Sequence, residues 1–85
     1  MTATEKKYMK SLGSLYTYNW LNFWRYGKDV DMIVMPVEMK NLSGWWHYRL
    51  QIIGDYPNVT EYQKSNMIVV CKDFLRKATE IKDAA

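Results

Sequence analysis

The chain has a single cysteine, Cys71, and a single histidine, His47, among 85 residues. One thiol closes no bridge, so no disulfide framework is expected, and a reducing, cytoplasmic setting follows. One Cys and one His also fall short of the roughly four ligands of a structural zinc site. Long apolar runs are missing as well. The longest is Met32 to Val37, interrupted by Pro36, whereas a spanning helix needs roughly 20 apolar residues. No membrane segment is therefore expected, and the N-terminus carries no apolar stretch of signal-peptide type.

The four glycines are scattered and the prolines number two. No phosphate loop of the GxxxxGK[ST] kind and no GxSxG elbow can be built from them. His47 and Cys71 would make a nucleophile and base only with a third group to orient them, and the pattern supplies none. Cys71 reads as a small buried hydrophobe and His47 as a rim residue beside Arg49. Asp29 and Asp31 read as turn residues rather than an acid–base pair. No enzyme, cofactor or metal is expected. At this length the chain is one domain, residues 1–85. Beginning at Met1 without tag or linker, it reads as a complete small product.

What the chain has in quantity is rings. Four Trp, seven Tyr and two Phe make 15% of it, alongside six Met, within a 48% hydrophobic composition. Met9, Leu12, Tyr16, Trp20 and Phe23 step by three and four, which predicts a helix from Thr4 to Tyr26 with Gly27 as its exit. Gly13-Ser14 is its weak point, and from Leu15 onward it is apolar on nearly every side.

From Val30 to Ile53 the pattern changes. Trp46, Tyr48, Leu50 and Ile52 alternate with His47, Arg49 and Gln51, the period of a half-buried strand. Asn41-Leu42-Ser43-Gly44 supplies a turn with Asn first and a left-handed Gly last. A β-hairpin is preferred. Its rival is a helix from Pro36 to Ile53, because Met39, Leu42, Trp46, Leu50 and Ile53 also keep helical steps. The last segment, Thr60 to about Lys82, opens on a capping-box pair, Thr60 and Gln63, and carries the stripe Met67, Val70, Phe74, Ala78 and Ile81. The expected fold is α+β, helix – hairpin – helix, with an all-α three-helix bundle as the alternative. A two-stranded sheet leaves open edges unless Pro36 and charges blunt them or a second copy adds strands, so a homodimer is a natural partner state.

Trp45 and Trp46 must point to opposite sides of a strand, so one of them faces away from the core. So small a domain buries only about 60–65% of its unfolded surface. The rings left outside then form a contact patch. The expectation is a small non-catalytic protein-binding module. It belongs with accessory factors and inhibitors, including those of viruses and mobile elements. Tyr16, Trp20, Trp24 and Trp45 would be its anchors, and Arg25 and Lys28 would steer it onto acidic ground. The alternative is a single-stranded nucleic-acid binder. Residues 1–28 hold five cations against Glu5, while residues 29–39 hold three acids and no base, and cations beside stackable rings suit single strands. An oligomer that scavenges small nucleotides between subunits is a third, weaker reading.

Overall fold

The computed structural model describes residues 2–21, 29–56 and 59–82, with residues 19–21, 29 and 30 described by their backbone. In chain order the elements are α1 (Ala3–Met9), β1 (Tyr16–Leu21), β2 (Asp29–Leu42), β3 (Trp45–Ile53), α2 (Glu61–Asn66), β4 (Met67–Val70), α3 (Cys71–Lys77) and β5 (Thr79–Glu80). The five strands form one antiparallel sheet in the order β4-β3-β2-β1-β5. The class is therefore α+β, and the all-α bundle and the helix over residues 36–53 are both excluded.

The long first helix is replaced by a short one and a strand. α1 starts at Thr2, not Thr4: the Thr2 hydroxyl accepts from the Glu5 amide at 3.1 Å. The chain leaves it through Gly13, whose φ of +83° an L side chain resists, and whose amide donates to the Pro36 carbonyl at 2.8 Å. Beyond that point Tyr16 and Tyr18 alternate with Thr17, which fits a strand as well as the 3–4 steps fit a helix. Pairing decides it, since Tyr16 to Leu21 lie opposite Val34 to Asp29 and both Tyr rings are buried. Aromatic and β-branched residues also favour the pleated surface. Asp29 and Asp31 accordingly sit in β2 rather than in a turn. The remainder of the expected helix, with Gly27 as its exit, lies outside the described residues.

The hairpin forms as expected, with a tighter turn. Pairing runs to Leu42 opposite Trp45, so only Ser43 and Gly44 are in the loop, with φ of 54° and 86°. Two left-handed residues match the twist of the strands, as type I′ turns do. Asn41 still closes the turn, its Oδ1 accepting from the Gly44 amide at 3.1 Å. A Cβ at Gly44 would meet nothing within 4 Å, so strain alone resists a side chain there. Gly44→Ala is expected to cost about 1–2 kcal/mol, whereas Ser43→Asn, which tolerates the left-handed region, is expected to cost nothing. Urea unfolding of the two variants checks this.

β2 bulges between Pro36 and Glu38. Pro36 and Leu50 face each other on the buried side. The extra residue, Val37, then turns Glu38 outward opposite Arg49 and Met39 inward opposite Tyr48. Pro36 thus blunts no edge, because β2 is interior to the sheet. It is tolerated because its carbonyl bonds Gly13, past the start of β1, so its missing N–H breaks no rung of the ladder. The outer strands are β4 and β5, the latter only two residues long.

The C-terminal segment is not one helix. The capping box holds, with Thr60 and Gln63 exchanging bonds of 2.9 and 3.1 Å. α2 then stops at Asn66, since Ile68, Val69 and Val70 are β-branched in succession and pack better as a strand against β3. α3 turns Cys71 and Phe74 back onto the sheet. One face of the sheet carries the core: Tyr16, Tyr18, Met32, Val34, Tyr48, Leu50 and Ile52, closed by Cys71 and Phe74. Tyr8 and Leu12 join it from the α1 end, and Tyr48 donates its phenolic hydrogen to the Tyr8 carbonyl.

Candidate functional site

α1 and α3 cover one face of the sheet; neither covers the other. Cross-strand register places on that second face Leu42 opposite Trp45, Lys40 opposite His47, Glu38 opposite Arg49 and Ile33 opposite Ile53, with Ile68 and Val70 beside them on β4. Strict alternation in β3 explains the two adjacent indoles. Trp46 packs against the core, and Trp45 stands outside, 59% exposed. Leu42, Ile33, Ile53 and Ile68 are exposed as well.

Polar side chains cross the middle of this face. The Glu38 carboxylate lies 3.2 Å from the Lys40 ammonium and 3.5 Å from the Arg49 guanidinium. Hydrogen bonding to Lys40, and then the Lys40 and Arg49 charges, hold its carboxyl below the ordinary glutamate value. Arg49 also donates to the Ser65 carbonyl at 2.8 Å, which ties the face to the end of α2.

Trp45 forms one wall of a cleft of about 340 Å³, with His47, Val70, Lys72, Asp73 and Arg76 around it. The His47 Nδ1 is 2.9 Å from the Trp45 carbonyl. A carbonyl only accepts, so Nδ1 carries a proton in this contact. Arg76 donates to Asp73 at 3.2 Å. A second cleft, of about 240 Å³, shares Lys72 and Arg76 and adds Lys7, Tyr8 and Leu75. The two clefts share Lys72 and Arg76 and so adjoin along α3. A third, more apolar cleft of about 420 Å³ lies between α1 and the hairpin, lined by Glu5, Met9, Leu12, Val37, Glu38, Met39 and Trp46.

Tyr16, expected as an anchor, belongs to the core: it is 6% exposed, with its ring centre 5.1 Å from that of Phe74. The Trp20 side chain, and Trp24, Arg25 and Lys28 altogether, lie outside the described residues. Trp45 alone of the expected anchors is placed at the surface. The cations beside it, Lys72 and Arg76, carry no sequence expectation, and Lys7, in the adjoining cleft, enters only as one of the five cations of residues 1–28. Lys7 is 65 positions from Lys72, and only the turn of α3 back across the sheet brings them to one groove, so no local signal could have joined them.

The groove offers no activated nucleophile. Cys71 is fully buried, and burial pushes its thiol up to about 11, away from the thiolate a nucleophile requires. Among the described residues, no group of three or more His, Cys, Asp or Glu side chains is gathered to hold a metal. Likewise, no described helix is long and apolar enough to cross a membrane. In comparisons with known proteins the chain matches no family model, no curated protein and no solved structure.

Proposed function

We propose that this chain is a small non-catalytic binding module acting in the cytoplasm, an accessory factor or inhibitor that masks a surface of another protein. The observation that carries this reading is the sheet face turned away from α1 and α3, with Trp45 59% exposed at its end and Leu42, Ile68 and Val70 around it. An exposed indole amid β-branched and aliphatic neighbours, edged by charges, has the make-up of an interface centre. The ion pairs of Glu38 set register and orientation more than affinity. The outer edge of β4, uncharged from Met67 to Val70, is where a second copy would extend the sheet.

Affinity capture from the native extract, after nuclease treatment, supplies the partner, and calorimetry with the purified partner supplies the number. Trp45→Ala is expected to weaken that complex by about 30-fold or more, as loss of a central aromatic anchor does. Its thermal unfolding should stay close to the parent's, because the ring is not part of the core. An unchanged Kd would refute the reading.

Trp45 beside Lys72 and Arg76 also suits a base stacked over a held phosphate, which keeps single-stranded nucleic acid as the second reading. Salt separates the two. A phosphate-driven complex loses affinity steeply between low and physiological salt, and an aromatic-anchored protein complex loses little.

A further inference from the structure

The charges around Trp45 are not equally available. Lys40 and Arg49 are both held by Glu38, and Arg76 is held by Asp73 at 3.2 Å. Lys7 and Lys72 line the groove along α3 and pair with no carboxylate among the described residues. The groove is thus a mixed surface. Two unneutralised ammonium groups and one half-neutralised guanidinium are interleaved with Trp45, Val70, Tyr8 and Leu75, and Asp73 stands in its wall.

That arrangement discriminates between ligands. A nucleic-acid strand carries a phosphate at every nucleotide, and in this groove it would meet the Asp73 carboxylate among the cations. With two phosphates neutralised, counterion release supplies a salt slope of only about −1.4, too little to hold a strand at physiological salt. An extended peptide with carboxylates at intervals and apolar side chains between them suits both sets of groups, since successive side chains of a strand alternate. We propose that the groove along α3 receives an acidic, apolar-interleaved segment of the partner protein, with carboxylates on Lys7 and Lys72 and an apolar side chain against Trp45 and Val70. This rests on the protein-binding reading and names the chemistry of its partner.

The probe is a fluorescein-labelled peptide in which Glu alternates with Leu and Ser, titrated with the full chain and followed by anisotropy at physiological salt. A peptide with Lys for Glu and a labelled oligothymidylate serve as comparisons. The acidic peptide is expected to bind, and the basic peptide and the oligonucleotide are expected to bind at least tenfold more weakly. Lys7→Glu and Lys72→Glu are each expected to weaken acidic-peptide binding about fivefold, in line with loss of one exposed charge pair and gain of a repulsive one. Both substitutions lie on exposed side chains, and circular dichroism confirms that the variants fold. Absence of acidic-peptide binding, or a double variant that binds it as well as the parent does, overturns the proposal. Tighter binding of the oligonucleotide overturns it in favour of nucleic acid. Because Trp45→Ala in the partner assay does not depend on Lys7 or Lys72, the module reading can stand when the groove assignment falls.

Discussion

Phe74→Ala is expected to destabilise the fold severely. The ring is fully buried and is the point where α3 meets three tyrosine rings on two strands, β1 and β3. Its centre lies 5.1 Å from Tyr16, 5.1 Å from Tyr18 and 5.5 Å from Tyr48. The contacts with Tyr16 and Tyr48 are edge-on, at 75° and 80°, the arrangement in which ring quadrupoles attract. Truncation removes the transfer free energy of the ring and leaves a cavity walled by rigid rings and strands that cannot collapse into it. Such changes cost about 3–5 kcal/mol. A domain of this size has only about 5–15 kcal/mol in total, and each kcal/mol lowers Tm by about 4–8 °C. A fall of roughly 15–30 °C in thermal unfolding is expected. Phe74→Leu keeps most of the volume and should cost about 1.5 kcal/mol or less. If the two variants unfold together, the Phe74 cluster is not the centre of the core.

The same cluster shows what a single sequence can and cannot disclose. The hairpin was legible because two signals agreed: alternation from Trp46 to Ile52 and a turn rich in Asn and Gly. The two indoles on opposite faces followed from that alternation alone. The segments on either side of the hairpin were not legible, and for the same reason. Tyr16 fits a helical stripe and, with Tyr18, one face of a strand; Met67 and Val70 likewise fit a helical stripe although Met67 to Val70 form a strand, and local spacing does not break the tie. It is broken by what each segment pairs with, Val34 and Met32 for the first and Leu50 to His47 for the second. The apolar surround of the expected first helix was itself the clue, since a segment apolar on all sides fits poorly on a surface helix and well in the middle of a sheet. The three successive β-branched residues at 68–70 were a second clue against a continuous helix.

For the site, sequence reasoning reached the exposed Trp45 but not its surroundings. A strand places its own alternate residues with certainty, so one indole had to be outside. Its neighbours come from β4, α3 and α1, and their arrival depends on the return of the chain after α2. The bulge at Val37 had no sequence signal either. Without it Glu38 would point into the core and Met39 out, and the ion pairs that cross the second face would not exist.

Stability is expected to fall steeply as pH rises above 9, because the core holds groups that ionise more readily once unfolded. Burial pushes the Cys71 thiol up to about 11 from an ordinary value of 9.0. Burial likewise holds the Tyr48 phenol far above its usual range, and burial and then the Asp73 charge raise that of Tyr18. All three are neutral when protonated and charged when not. Below pH 9 both states keep these protons, and the groups contribute no pH dependence. Above it the unfolded chain releases the Cys71 proton while the folded chain retains it. The unfolded state then binds fewer protons, and stability falls as pH rises. Two pH units at about 1.4 kcal/mol each give a loss of roughly 3 kcal/mol from Cys71 alone by pH 11, and Tyr48 and Tyr18 continue the decline above pH 10. Urea unfolding at intervals from pH 7 to pH 11 should show a flat midpoint to pH 9 and a steep fall beyond it. Cys71→Ala should flatten the first part of that fall. Thiol labelling of the native protein at pH 8 should proceed only as fast as the domain opens. Rapid labelling, or a midpoint unchanged at pH 11, would show that Cys71 and Tyr48 are reached by water in the folded state, and the core as described would not hold.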